Sequence, residues 1–335
     1  MKINIIDTTL RDGSHAVEHQ FTPQQVQAVV KGLDEAGVYC AEVGHGAGIG
    51  GSVLQYGLGK HDTVELIRAA KDVSKNMKIG TLLVPGLGTM EDLKAGKDAG
   101  LDLVRVAVHC TEGDVGAQHV KLGKSLGLES IMFFMMTHMT SPEELAEQAV
   151  MAEDYGADVI YFADSAGFMS PNQFADRIIA ARKRISVPIG VHTHNNIGLG
   201  VGNAIAGVEA GATYVDGATE GLGAGSGNGN TAAIVVVLDK MGYHTGCDWY
   251  KLVENGQKNV RPLVRHSLEI TGDSITLGAA GIYSSFLLHV KESSEKYNID
   301  PRLIFDELAR RKVVGGQEDQ IIDICQEILA ERENK

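Results

Sequence analysis

The strongest constraint on this chain is a repeated switch of hydrophobic period. Short apolar, β-branched runs at Ile3–Ile6, Val38–Val43, Lys78–Val84, Leu103–Val108, Glu129–Met135, Val159–Ala163, Val187–His192 and Tyr214–Asp216 alternate with longer stretches of helical spacing. A short run of this kind suits a strand covered on both faces, and the intervening period of three to four suits a helix. The alternation therefore calls for parallel strands joined by crossover helices. Eight such units in about 240 residues predict one closed (β/α)8 TIM barrel, an α/β fold. Thr22-Pro23, Ser141-Pro142 and Ser170-Pro171 supply helix starts, a capping hydroxyl followed by proline at the first helical position. Ala36-Gly37, Ala99-Gly100, Tyr155-Gly156 and Ala210-Gly211 end helices just before the next strand.

Past Gly242 the alternation stops, and helices are expected at Trp249–Asn255, Ile282–Tyr297, Pro301–Arg311 and Glu318–Glu331. In the last of these Ile321, Ile324, Ile328 and Leu329 share one apolar face, which suits a core. The 335 residues thus divide into a barrel over 1–242 and a C-terminal helical domain over 243–335.

Composition narrows the partners. Thirty basic against 43 acidic side chains give a net charge of −13 spread along the chain, a field that repels polyanions. Nucleic acid and anionic membrane are poor partners for it. The four cysteines, Cys40, Cys110, Cys247 and Cys325, form no C-x-x-C pair, so a zinc knuckle or redox dithiol is disfavoured and buried small hydrophobes are expected. With no secretory leader pattern and no apolar run of about 18 residues, a cytoplasmic location is the expectation. The 41 glycines imply many tight turns or close backbone approaches.

The chemistry collects where strands end. Strand one runs into Asp7-Thr8-Thr9-Leu10-Arg11-Asp12-Gly13-Ser14-His15, and in a barrel the loops after the strands build the catalytic face. Alone, Arg11 and Asp12 read equally well as a surface ion pair. Strand seven ends in Val191-His192-Thr193-His194, and in extended chain residues two apart project to one side, so both imidazoles can meet one cation. Joined by Asp12 they make a two-His, one-carboxylate site with positions open to substrate. Nitrogen and oxygen ligands without thiolate suit Mn²⁺, Mg²⁺, Co²⁺ or Zn²⁺.

These residues carry a family resemblance. Asp7-Thr8-Thr9-Leu10-Arg11-Asp12-Gly13 with His192-Thr193-His194-Asn195 resembles the DRE-type TIM-barrel metallolyases, which make or cleave carbon–carbon bonds beside a metal-bound keto acid. Within that group the chain is similar over its whole length to the aldolases of 4-hydroxy-2-keto acids. That closer likeness rests on Arg11-Asp12-Gly13-Ser14-His15, Gly50-Gly51-Ser52-Val53-Leu54-Gln55-Tyr56-Gly57, Asp164-Ser165, Gly223-Ala224-Gly225-Ser226-Gly227-Asn228 and Ile282-Tyr283-Ser284-Ser285-Phe286. One departure is Gly44-His45-Gly46, where an acidic residue is expected before the glycine-rich loop.

The resemblance implies a class II pyruvate aldolase: retro-aldol cleavage of 4-hydroxy-2-oxopentanoate to pyruvate and acetaldehyde with a divalent metal, Mn²⁺ first and Mg²⁺ or Co²⁺ next. It implies Asp12, His192 and His194 as metal ligands and His15 as the base for the C4 hydroxyl. Arg11 would face the enolate oxygen, and Tyr283 and Ser165 would contact substrate alongside Arg11, Asp12 and His192. It also implies an oligomer in which the helical domain communicates with an acylating, NAD-dependent acetaldehyde dehydrogenase. Leu83, Pro85 and Leu87 after strand three are plausible liners for the alkyl end of the substrate.

Rival readings are weaker. Gly46-Ala47-Gly48-Ile49-Gly50-Gly51 fits G-x-G-x-x-G, but no helical spacing resumes before Asp62, so a dinucleotide would find no helix N-terminus. The glycines of 221–229 could cradle a phosphate; close backbone packing near the metal is the preferred reading. A Claisen-type relative acting on an acyl-CoA would share the metal triad, and a non-catalytic barrel would not need the set Arg11, Asp12, His15, His192 and His194. Strand six, Asp158-Val159-Ile160-Tyr161-Phe162-Ala163-Asp164, offers no lysine for a Schiff base. Borohydride reduction in the presence of pyruvate is accordingly expected to leave turnover intact, and a pyruvyl adduct on a lysine, read by mass spectrometry, would contradict the metal route.

Overall fold

The computed structural model describes residues 1–264 and 268–333. Eight parallel strands, β1 (Asn4–Leu10), β2 (Cys40–Val43), β3 (Lys78–Leu83), β4 (Leu103–His109), β5 (Glu129–Met135), β6 (Val159–Asp164), β7 (Ile189–Thr193) and β8 (Tyr214–Gly217), close into a barrel in sequence order. Eight helices surround it: α1 (Pro23–Glu35), α2 (Thr63–Val73), α3 (Met90–Asp98), α4 (Ala117–Ser125), α5 (Pro142–Asp154), α6 (Pro171–Arg182), α7 (Gly200–Ala210) and α8 (Thr231–Lys240). The three hydroxyl–proline starts are full capping boxes: Thr22 with Gln25, Ser141 with Glu144 and Ser170 with Gln173.

Strand one reaches further than its hydropathy indicates. Asp7, Thr8 and Thr9 are strand rather than loop, with Asp7 beside Gly217 of β8 and Leu10 beside Val43 of β2. These polar residues stay in the sheet because each has a partner. Asp7 accepts the Thr9 N–H and the hydroxyls of Thr219 and Thr231, and Thr8 donates to the Gly217 carbonyl. Burial still raises the Asp7 carboxyl above its usual range, against those hydrogen bonds.

Two hydrophobic layers follow from the alternation of strand side chains. One lies between strands and helices and contains Ile5, Val43, Val104, Val106, Phe134 and Phe162. The other fills the barrel axis with Ile6, Cys40, Leu82, Leu103, Ile131, Phe133, Val159 and Tyr161. The axial layer fixes parity: Glu42, Arg105, His192 and Asp216 share the inward direction of Cys40, Leu103, Gly190 and Tyr214 two residues before them. Gly190 is required here, because a Cβ would lie 2.0 Å from Cε2 of its neighbour Tyr161.

Beyond the barrel, α9 (Trp249–Asn255) packs on α1 and α8, and Leu252 and Val260 belong to the barrel's own core. A second core begins at Leu277 and is shared by α10 (Gly272–Ala280), α11 (Phe286–Tyr297), α12 (Pro301–Arg311) and α13 (Gln320–Glu333). Ile321 and Ile324 are buried in it, with Ile328 and Leu329 packed against it, as their spacing predicts. Helix α10 is not evident from hydropathy, since two glycines and two hydroxyl residues dilute its apolar face; a Thr271–Ser274 capping box starts it. The helix expected from Ile282 begins only at Phe286. Gly281 ends α10 in a left-handed conformation, and the Ser284 N–H turns aside to the Ser165 carbonyl.

Replacing Gly190 by Ala is expected to lower stability by about 1–3 kcal/mol through overpacking against Tyr161, measured as a reduced denaturation midpoint with an unchanged slope.

Candidate active site and metal cradle

Asp12, His192 and His194 are brought together at the barrel mouth, all buried, with one ligand atom from each lying within 4.8 Å of the others. The surrounding hydrogen bonds fix which nitrogens face inward. His192 Nδ1 lies 2.7 Å from an Asp216 carboxylate oxygen, which only accepts, so Nδ1 carries the proton and Nε2 is a bare lone pair. His194 Nδ1 faces the Ala224 carbonyl at 3.4 Å with the same consequence. The two Nε2 atoms then stand 3.2 Å apart, close to the roughly 3 Å expected for two nitrogens at right angles on one cation about 2.1 Å from each. Facing lone pairs at that distance repel unless a cation lies between them and the neighbouring carboxylate. The donor set therefore fits a divalent metal.

The protonation states agree with this fit. Burial lowers the His194 pKa to about 4, against the pull of Asp12, so the ring is neutral near pH 7. Burial alone would raise the Asp12 carboxyl, but Arg11, with His194 and His192, holds it well below the usual carboxylate range. Asp12 also accepts from Asn228 Nδ2 at 2.8 Å and from the Ala224 N–H at 3.2 Å. Gly223 allows that approach, since a Cβ there would sit 2.9 Å from Asp12 Oδ2. The glycines of this loop admit close backbone packing at the cradle, as preferred over a phosphate site.

Arg11 is no surface ion pair. It is 3% exposed and hydrogen-bonds Asp12 at 2.7 Å, Glu42 at 2.7 Å and the Gly46 carbonyl at 3.3 Å. His15 and Tyr283 line one cavity of about 190 Å³, whose other walls include Leu82, Pro85, Leu87 and Met135. Leu83 is a correction: the strand pleat turns it outward into the helix-facing core, fully buried, and Leu82 takes its place on the cavity wall. Burial lowers the His15 pKa, Asp12 opposing, and raises that of Tyr283. Ser165 is buried, and its Oγ accepts the Met136 N–H at 3.0 Å. Its carbonyl takes both the N–H and the hydroxyl of Ser284. Asn196 completes this joint by donating to Ser284 Oγ at 2.8 Å and to the Ala166 carbonyl at 2.9 Å. The helical tail is thereby pinned to the end of β6, which sets Tyr283 over the mouth.

His45, at the departure from the expected acidic residue, is stacked on His19 with ring centroids 3.7 Å apart. It donates from Nε2 to the Gly57 carbonyl and accepts the Ala47 N–H, so it ties down the glycine-rich loop. No helix begins in that loop; α2 starts at Thr63.

Three residues around the site escape motif reading, Glu42, Arg105 and Asp216, and a fourth, Asn228, stands in the quoted 223–228 run without a role assigned to it. The signal for the first three is a charge inside an otherwise buried strand, as in Leu103-Val104-Arg105-Val106. Such a charge has to be paired.

Two family models match successive parts of the chain. The HMGL-like family matches residues 2–258, the barrel with its cradle, and the DmpG-like communication domain matches residues 268–330. A 4-hydroxy-2-oxovalerate aldolase of Geobacillus genomosp. 3 is 50% identical over 326 residues, covering 97% of each chain. The 4-hydroxy-2-oxovalerate aldolase of Carboxydothermus hydrogenoformans is 50% identical over 327 residues, 98% of this chain and 97% of its own. This chain belongs to the 4-hydroxy-2-oxovalerate aldolase family. The carboxyl transferase domain of Rhizobium etli pyruvate carboxylase, solved with pyruvate and biocytin, shares the fold: TM-score 0.81 at 17% identity, over 99% of this chain and 61% of that one.

Asp12→Asn keeps the shape of the side chain and removes the charge. It and His194→Ala are each expected to weaken Mn²⁺ binding by more than about 100-fold in calorimetric titration, beyond the 10–100-fold typical of a residue that only supports a ligand.

Proposed function

We propose that this chain cleaves 4-hydroxy-2-oxopentanoate to pyruvate and acetaldehyde, with Asp12, His192 and His194 holding a divalent cation, Mn²⁺ by preference. The observation that carries the reading is the facing pair of Nε2 lone pairs beside a carboxylate, at the mouth of a barrel half identical to 4-hydroxy-2-oxovalerate aldolases. A cation bound there supplies Lewis acidity toward the 2-keto oxygen of the substrate.

The protein's own groups do the rest. His15, kept neutral by burial, accepts the C4 hydroxyl proton. The electrons of that O–H bond form the aldehyde carbonyl, the C3–C4 bond breaks, and its electron pair passes to C3 as the enolate of pyruvate. Arg11, fixed by Glu42 and Asp12, stabilises the developing oxyanion. Proton delivery to C3 then gives pyruvate. Ser165 orients the keto acid, and Tyr283, which shares the cavity with His15, orients the hydroxyl end. The mostly apolar wall of Leu82, Pro85, Leu87 and Met135 suits a short alkyl group on C4.

Residues 1–242, with α9 and Val260 packed on them, form the catalytic unit in this reading, and the helices that follow within 243–335 form the communication unit. An acylating, NAD-dependent acetaldehyde dehydrogenase is the partner proposed for the latter, within an oligomer. The support is the DmpG-like domain at 268–330, whose Tyr283, Val314 and Gly315 line the same cavity as His15. Among the described residues no helix is long and apolar enough to cross a membrane; a cytoplasmic location is proposed.

Chelation by EDTA is expected to stop pyruvate release from 4-hydroxy-2-oxopentanoate and added Mn²⁺ to restore it. His15→Ala should lower kcat by about 10²–10⁴-fold while leaving Mn²⁺ affinity unchanged. Turnover of an acyl-CoA with none of the hydroxy keto acid would overturn the assignment in favour of a Claisen-type lyase.

A further inference from the structure

Below the cradle, on the barrel axis, lies a charged side chain that hydrogen-bonds none of the three proposed metal ligands. Arg105 of β4 has no exposed surface. Its Nη2 donates to Asp216 at 2.7 Å and its Nη1 to Glu42 at 3.1 Å. The guanidinium lies over the rings of Phe133 and Tyr161, 4.5 and 4.3 Å from their centroids, so its plane is set by packing as well as by its hydrogen bonds.

The two carboxylates that it joins serve different halves of the site. Asp216 accepts from His192 Nδ1 and so determines which nitrogen of His192 faces the cradle. Glu42 accepts from Arg11 Nε at the same oxygen, Oε2, that takes Arg105. Asp12, Arg11, Glu42, Arg105, Asp216 and His192 are thus one continuous chain of hydrogen bonds whose two ends meet again at the cradle.

Charge counting supports the same view. Three buried carboxylates, Asp12, Glu42 and Asp216, face two guanidiniums, Arg11 and Arg105. The surplus of one negative charge becomes one positive charge with a divalent cation, and the carboxylate of a keto acid cancels it. Without Arg105 the buried surplus would rise from one negative charge to two, and Asp216 would lose its guanidinium partner. The bridge is also not the arrangement that best satisfies its members. Arg105 Nε, Glu42 Oε1 and Asp216 Oδ1 are each buried without a hydrogen-bond partner among the described residues. The three side chains commit their bridging atoms to one another and to His192 and Arg11.

We propose that Arg105 is a positioning residue that couples the two halves of the site: through Asp216 it holds His192 with Nε2 toward the cradle, and through Glu42 it holds Arg11 against the reacting keto acid. The role rests on the aldolase reading for the substrate half but not for the cation half. An arginine is required because two carboxylates must be engaged by separate nitrogens in a fixed plane, which a lysine ammonium does not provide.

The test is Arg105→Lys in the full-length protein, which preserves the charge. Thermal unfolding establishes that the variant is folded. Calorimetric titration of the metal-free protein with Mn²⁺ is expected to show a 10–100-fold loss of affinity, the range for a group that orients a ligand. The ring ¹⁵N signals of His192, recorded without metal, should move from a single Nδ1–H tautomer to a mixture, and kcat should fall with oxalate affinity. A variant that melts lower but keeps wild-type Mn²⁺ affinity and an unchanged His192 tautomer would overturn the proposal and leave Arg105 as barrel filling. Should Arg105→Lys fail to fold, Glu42→Gln carries the test, because its hydrogen bonds go to Arg11 and Arg105. A shift in the His192 ¹⁵N signals of that variant supports the relay, and unshifted signals refute it. If the wild-type protein binds Mn²⁺ yet releases no pyruvate, the functional reading fails, while the titration and the ¹⁵N signals still decide the role of Arg105.

Discussion

Two imidazole lone pairs held face to face at 3.2 Å are the costly arrangement around which the rest of this molecule is organised. Left alone they would repel, rotate apart or share a proton. Here each ring is clamped from behind by an acceptor, Asp216 on one side and the Ala224 carbonyl on the other. The clamp is rigid because His192 is a barrel residue and the Ala224 loop packs around it through Asn228 and Asp12. Closing eight strands into a ring makes this possible, since it surrounds the rings with other strand ends and removes the freedom by which they would otherwise escape.

The same closure explains the density of charge on the axis. A barrel interior of this size is filled by side chains, so a polar residue there meets another strand's side chain and not water. Glu42, Arg105 and Asp216 come from β2, β4 and β8, and Arg11 follows β1. Their mutual pairing is what allows ionised groups between the cradle and an apolar layer that includes Leu103, Ile131 and Val159. Burial raises the cost of each charge and strengthens each pair, so the network fixes geometry more firmly than surface ion pairs would.

The helical tail has a second role besides its own core. Its turn at 281–285 is held by His138 Nε2 on the Gly281 carbonyl, by Ser284 on Ser165 and by Asn196 on Ser284. Gln55 of the glycine-rich loop reaches Gly316 on the far side. The tail therefore roofs the cavity that contains His15, and a partner seated on it would act on a structure already tied to the ends of β5, β6 and β7.

Much of this was legible in the sequence because it is local. The switch between periods of two and three to four reports strands and crossover helices directly, and the Thr22, Ser141 and Ser170 caps report helix starts, because each depends on neighbours within a few residues. His192 and His194 were readable for the same reason, as a two-residue spacing is a statement about one face of one strand. The extent of β1 was not, because Asp7, Thr8 and Thr9 look like loop until Gly217, Thr219 and Thr231 arrive from more than 200 positions away. Leu83 and Leu82 exchanged roles because the pleat decides which of two adjacent leucines faces the cavity. By itself the sequence determined the barrel, the helical tail and the chemical types at the strand ends. Only the tertiary structure decided that Glu42, Arg105 and Asp216 pair with one another, since a charge buried in a strand finds its counter-charge across the barrel and not along the chain.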